Sequence, residues 1–263
     1  MKVTLNKAEI HVATGGRPLD PKQPAIVFLH GSGLDHRTWA LQTRWFAFNG
    51  YAVVAPDFPG HSQSDGRPLT SIAKQADWLW TLLDALKIKS ASLVGHSQGA
   101  LVALEAASRQ PARTRSLSVI ASGHAVPVNA ALLDMAKNNK PAAVDAMLTW
   151  GFGDDHQFGV SVVPGQSPIG IGHRIMSANP LHIDLNCSNN YQNGLAAAAN
   201  VSCPTQLILA RQDKMTSVKG GLALRDALPN VQACDVLEDV GHMLPMEAPD
   251  AVLKHLSDFI VSV

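Results

Sequence analysis

A serine hydroxyl attacks a carbonyl carbon only when a base takes its proton and the backbone holds it clear of its neighbours. Gly95-His96-Ser97-Gln98-Gly99 offers such a serine. Glycines two residues to either side of Ser97 leave steric room for a sharp, strained turn. The string follows the apolar run Ala91-Ser92-Leu93-Val94 directly and opens a segment rich in alanine. The expected setting is therefore strand, turn and helix, with the serine at the bend. A helix start there presents backbone N–H groups and a positive dipole end to a developing oxyanion. Ser97 is the expected nucleophile of an acyl-transfer reaction.

The serine needs a base, and the base needs an acid to fix its tautomer. Of 11 histidines, His242 stands out, in Asp239-Val240-Gly241-His242-Met243-Leu244-Pro245, after the last expected strand and before the C-terminal helix. Asp213, in Ala210-Arg211-Gln212-Asp213-Lys214, lies just past an earlier strand. The end of the strand before that one, Ile120-Ala121-Ser122-Gly123-His124, carries no carboxylate, which favours Asp213. Asp235, Glu238 and Asp239 compete by proximity to His242 but read as strand-edge or surface charges. His30-Gly31-Ser32-Gly33 follows another apolar run and should supply the second oxyanion donor. The expected pair is the N–H of Ser32 with that of Gln98, with Gly33 as the alternative. His30 reads as a buried histidine bonded to backbone.

These residues need strands that end at one edge of a sheet. Short β-branched runs at 3–5, 8–13, 25–29, 51–55, 90–94, 116–121, 205–210 and 233–237 alternate with helical patterns at 72–86, 98–109, 218–228 and 249–261. That alternation is the mark of an α/β chain with a mostly parallel sheet. Active sites of such sheets lie at the carboxyl ends of the strands. Residues 123–204 break the rhythm. They hold helical patterns at 130–137 and 142–150, then a section punctuated by glycine and proline. A structureless loop of that length is improbable in a compact domain, so a mostly helical insertion over one edge of the sheet is expected. Its Trp150, Phe152, Met147, Phe158, Met176 and Tyr191 are candidate pocket residues, and Met135 could join them.

Lys plus Arg and Asp plus Glu both number 21 in 263 residues, and no dense basic run occurs. A nucleic-acid partner, which needs surplus cations, is not expected. Three cysteines, Cys187, Cys203 and Cys234, form no C-x-x-C pair, and the first residues lack the apolar core of a signal peptide. A cytoplasmic protein without membrane insertion follows, as monomer or homodimer. No H-E-x-x-H, Cys/His cluster or EF-hand loop appears, so neither metal nor other cofactor is expected. Gly170-Ile171-Gly172 has neither strand nor helix context for a dinucleotide loop.

Taken in order, His30-Gly31-Ser32-Gly33, the stretch 55–64 with Pro59-Gly60-His61-Ser62, Gly95–Gly99, Arg211-Gln212-Asp213 and Gly241-His242-Met243-Leu244-Pro245-Met246-Glu247-Ala248-Pro249 resemble the α/β-hydrolase superfamily. The resemblance runs from about residue 26 to 259, the insertion excepted. It implies an eight-stranded α/β-hydrolase fold with helices on both faces, a core at 1–124 and 201–263, and a helical lid at 125–200. It also implies a Ser97–Asp213–His242 triad. One departure is His61-Ser62, where many relatives have a second glycine. Haloalkane dehalogenases and epoxide hydrolases of the superfamily carry aspartate at the elbow, so Ser97 points to ester chemistry. The expected function is cleavage of a small or medium carboxylic ester. Alternatives are a lactonase, a carbon–carbon bond hydrolase of ring-cleavage diketones, a cofactor-free perhydrolase, and a small-molecule receptor that keeps its triad.

Overall fold

The computed structural model describes residues 1–154 and 167–263. Eight strands form one sheet: β1 (Lys2–Leu5), β2 (Ala8–Ala13), β3 (Ala25–Leu29), β4 (Ala52–Pro56), β5 (Ala91–His96), β6 (Thr114–Ile120), β7 (Thr205–Ala210) and β8 (Val231–Leu237). Their spatial order is β1-β2-β4-β3-β5-β6-β7-β8. β1 and β2 form an antiparallel hairpin, β2 joins β4 antiparallel, and every later pairing is parallel. This is the α/β-hydrolase fold. Every residue of β3, β4, β5 and β7 is buried, which is why those runs are apolar without alternation.

Helices cover both faces. On one side α2 (Ile72–Ala85), α3 (Gln98–Arg109), α8 (Gly194–Ala199) and α9 (Val218–Ala227) enclose a core that includes Leu82, Leu101, Ala198 and Leu224. On the other, α1 (Ala40–Phe48) and α11 (Pro249–Ser262) bring Phe46, Val252 and Leu256 against Ile26, Val53 and Ile208. All eight expected strands are present. Helix α1 was not expected: Ala-Leu-Gln-Thr-Arg-Trp-Phe-Ala-Phe shows no clean apolar stripe, and Leu41 and Phe48 are exposed while Gln42 and Thr43 are buried.

Between β6 and β7 come α4 (Ala130–Asn138), α5 (Lys140–Gly151), α6 (Pro168–Ala178), α7 (Leu181–Asn189) and α8. Leu132, Val144, Met147, Leu148, Ile175, Met176 and Leu185 form a third apolar cluster, which Leu34 and Met243 of the strand-edge loops join. Cys187, Tyr191, Ala197 and Ala198 pack instead with the sheet and α3. The Gly170-Ile171-Gly172 run, read as lacking helix context, lies inside α6. That helix tolerates its glycines because Pro168 presets the first turn and the Ser167 hydroxyl accepts from Gly170 N at 3.1 Å. Among the described residues, no helix is long and apolar enough to cross a membrane.

Candidate active site

Ser97 stands between β5 and α3 with φ 54° and ψ −119°, a conformation that residues with a side chain seldom adopt. Its N–H is anchored to the Ile120 carbonyl of β6 at 2.9 Å. The bend also needs both glycines. A Cβ on Gly95 would strike the Gly99 carbonyl, and one on Gly99 would strike that of Leu29. Ser97 occupies the N-cap position, yet its side chain makes no capping bond, so the hydroxyl is not spent on the helix.

Asp213 follows β7 and His242 follows β8, and the fold brings them together across 29 residues. His242 Nδ1 lies 2.8 Å from Asp213 Oδ2. The carboxylate also accepts from Met215 N at 2.8 Å, Thr216 N at 2.7 Å and Thr216 Oγ1 at 2.6 Å. Burial works to raise the Asp213 pKa, but the facing His242 and the Thr216 bonds outweigh it and hold the carboxyl below its ordinary value. An ionised acceptor at Nδ1 keeps that nitrogen protonated and leaves Nε2 as the basic atom.

Ser97 and His242 line one cavity of about 440 Å³, with Ser32 and Ser188 beside them and Val126, Leu132, Met147, Trp150, Leu185 and Met215 among its apolar walls. Ser32 Oγ donates to Gln98 Oε1 at 2.8 Å, tying the two expected oxyanion residues side by side. Gln98 is the first residue of α3, so its N–H has no carbonyl to bond within the helix. Gly33, the alternative donor, must be corrected: its N–H already donates to Asp184 Oδ2 at 2.7 Å. His30 has both ring nitrogens on backbone, with Gly31 O at 3.0 Å and Phe58 N at 3.3 Å.

The expected pocket residues divide. Met147 and Trp150 line the cavity, Trp150 with 39% of its surface exposed. Phe152 and Met176 are corrections, since both are fully buried in the third apolar cluster. Tyr191 is another: its hydroxyl donates to Glu105 Oε2 at 2.8 Å, away from the cavity wall. Phe158 lies outside the described residues.

Sequence reasoning missed the groups that hold these side chains in place. His96 Nε2 is 2.7 Å from the His242 carbonyl oxygen. Burial, then the neighbouring His242, push the His96 pKa down to about 3, so the ring is neutral. A carbonyl only accepts, so Nε2 carries its one proton. Glu247, at the end of α10 (Leu244–Glu247), accepts from the amides of Gly241 at 3.0 Å and Met243 at 2.9 Å, on either side of His242. It also accepts from Gly153 N, just past α5, at 2.7 Å. Gly153 and Gly241 approach so closely that a Cβ on Gly241 would strike the Gly153 amide. An acid five residues after the histidine in an otherwise apolar stretch was the available signal.

On the oxyanion side, Asp184 and Asn179 do similar work. Asn179 Nδ2 donates to the carbonyls of Gly33 at 3.0 Å and Leu34 at 2.8 Å, and its Oδ1 accepts from Ser62 N at 2.8 Å. Asp184 Oδ2 faces His61 Nε2 at 2.9 Å in a buried pair. These contacts cross from α7 and the turn before it to loops more than a hundred residues earlier, which no local pattern reveals. Among the described residues, the group with metal-ligating side chains in reach of one another is His11, His36 and Asp57, outside the cavity.

A sequence model of the alpha/beta hydrolase family matches residues 26–255. The chain belongs to that family. This hydrolase is 27% identical over 255 residues to 3-oxoadipate enol-lactonase 1 of Acinetobacter baylyi, covering 91% of this chain and 90% of that one. A 37% identical match to an epoxide hydrolase of Caballeronia sordidicola spans only 44% of this chain and 37% of that protein. Among solved structures, the enol-lactonase from Burkholderia xenovorans superposes with a TM-score of 0.85 at 21% identity, covering 99% and 100% of the two chains.

Proposed function

We propose that this hydrolase cleaves small or medium carboxylic esters through an acyl-enzyme on Ser97. The observation that carries the reading is that His242, 2.8 Å from Asp213, lines the same cavity as Ser97. His242 Nε2 takes the Ser97 proton as the oxygen attacks the ester carbonyl. The amides of Ser32 and Gln98 receive the negative charge on the carbonyl oxygen. The imidazolium, stabilised by Asp213, then protonates the leaving alcohol as the carbon–oxygen bond breaks. Water repeats the sequence and releases the acid.

The insertion at 125–200 serves as a lid, with α8 belonging by its packing to the core. Its Leu132, Met147, Trp150 and Leu185 give the cavity an apolar wall suited to a short acyl or alcohol chain. A cytoplasmic setting accords with three unpaired thiols. A second reading, lactone opening, uses the same attack on a cyclic ester, and the near full-length likeness to an enol-lactonase favours it.

The test is a panel of p-nitrophenyl butyrate, simple lactones and a vinylogous diketone, beside labelling with an organophosphonate. Multiple turnovers of the ester or lactone are expected, with the phosphonate on the peptide holding Ser97. Label on any other residue, or a single slow turnover of the kind a receptor shows, overturns the reading.

A further inference from the structure

Away from the cleft, three sequence-distant residues meet at the end of β2. His11 lies in β2, His36 in the turn of 3-10 helix after β3, and Asp57 directly after β4. One ring nitrogen of each histidine and a carboxylate oxygen of Asp57 lie within 4.8 Å of one another. The imidazole centroids are 4.6 Å apart and the rings are tilted by 48°.

The carboxylate is fully buried and held from behind. Asp57 Oδ1 accepts from His36 N at 3.0 Å and Oδ2 from Gln63 N at 3.2 Å, while His36 Nδ1 lies 2.7 Å from Oδ1. A hydrogen-bonded pair accounts for His36 and Asp57. It leaves His11 unexplained. That ring is half-buried against His36 and has no hydrogen-bond partner among the described residues.

We propose that His11, His36 and Asp57 form a binding site for a divalent transition ion of the zinc type. Two imidazoles and one carboxylate suit a borderline ion and not magnesium or calcium, which favour all-oxygen shells. Tetrahedral zinc with bonds of about 2.0–2.1 Å holds its ligand atoms about 3.3 Å apart, so His11 closes in by roughly 1.5 Å at most, while His36 Nδ1 and Asp57 Oδ1, 2.7 Å apart, part slightly and exchange their hydrogen bond for the ion. The closing movement falls on the His11 ring, which has no bond to break. Any proton on a coordinating nitrogen leaves as the ion enters. With the His36 side chain 15% exposed, water reaches the site and completes the coordination. Because the ligands come from β2, the turn after β3 and the loop after β4, the bound ion cross-links three segments. It acts as a staple and stays out of the reaction, since none of the three residues lines the cavity.

Zinc chloride titrated into the full-length protein by calorimetry, with thermal unfolding in parallel, tests the site. The wild type should bind one ion there and unfold at a higher temperature when loaded. His11→Ala should weaken binding at least tenfold and abolish the thermal shift, while metal-free ester turnover is retained. His36→Ala should act alike, and His255→Ala, which alters a half-buried histidine paired with Asp235 elsewhere, should change nothing. Cobalt in place of zinc should give visible absorption bands that vanish in His11→Ala. Absence of binding by the wild type, or equal affinity in wild type and His11→Ala, overturns the proposal.

Discussion

The cavity has two walls built by different means. On the sheet side, Ser97, Asp213 and His242 ride on turns that follow β5, β7 and β8 of one continuous sheet, β5 and β7 fully buried and β8 at its edge. On the other side, Leu132, Met147, Trp150 and Leu185 come from α4, α5 and α7, whose apolar cluster meets the sheet side through Leu34 and Met243. The first wall is positioned by backbone, down to the strained φ of Ser97 and the glycines that permit it. The second is positioned by side-chain packing, and a few buried polar clasps, Glu247, Asp184 and Asn179, tie it to the loops of the first. On the proposed function, a rigid chemical edge facing a packed wall would let substrate preference vary while the reaction stayed the same.

The largest effect should come from the edge. Ser97→Ala is expected to lower turnover by roughly 10⁴–10⁶-fold with little change in melting temperature, because the hydroxyl caps nothing. Near wild-type turnover in that variant would remove the chemical edge from the comparison altogether.

How far each wall could be read beforehand follows from the same contrast. Strand runs, the Gly95–Gly99 bend and the order Ser97, Asp213, His242 rest on local rules of periodicity and turn sterics, so they were legible. The nearness of Ser32 and Gln98 was legible too, because each lies within three residues of the end of one of two neighbouring strands. The insertion was legible only as helical. Met147 and Trp150 face the cavity while Phe152, two residues on from Trp150, is fully buried, and that choice is made by how α5 docks on its neighbours. Gly33 failed as an alternative donor because Asp184, 151 residues later, takes its N–H. The meeting of His11, His36 and Asp57 was equally invisible, being a product of β2 pairing with β4.

The clasp between the walls should respond next. Glu247→Gln keeps the shape of the side chain but turns one oxygen into an NH₂ facing a backbone N–H, so at least one of three bonds becomes a repulsion. We expect kcat to fall about 10–100-fold, roughly 1.4–2.7 kcal/mol, as His242 loses its fixed position. KM should hold nearly steady. A parallel loss in melting temperature with unchanged kcat would mean that Glu247 serves stability alone.

The second clasp carries a pH signature. Burial works to lower the His61 pKa, but Asp184 and the Pro59 carbonyl outweigh it, so the folded value lies above the unfolded one near 6.5. A group raised on folding contributes its full stability below the unfolded pKa and loses it as pH rises through the folded pKa. The melting temperature of the wild type should therefore carry a component that declines on the alkaline side of about pH 6.5. His61→Gln should remove that component. An identical slope in both proteins would exclude His61 from the clasp.

The smallest effect is also the one that separates the walls most cleanly. Trp150 lines the cavity with 39% of its surface exposed, so its removal opens room for substrate without emptying a core. Trp150→Ala should shift relative kcat/KM toward bulkier esters by about tenfold, near 1.4 kcal/mol, within the range set by a few methylene groups in a pocket. Its melting temperature should move little, whereas Phe152→Ala, emptying a fully buried site, should cost about 3–5 kcal/mol of stability. Both profiles are measured on the same ester series with thermal unfolding alongside. If Trp150→Ala instead loses stability with its ester preference unchanged, Trp150 belongs with Phe152 in the packing of the insertion. Preference would then be set lower in the cavity, by Met147, Leu185 and the serines around Ser97.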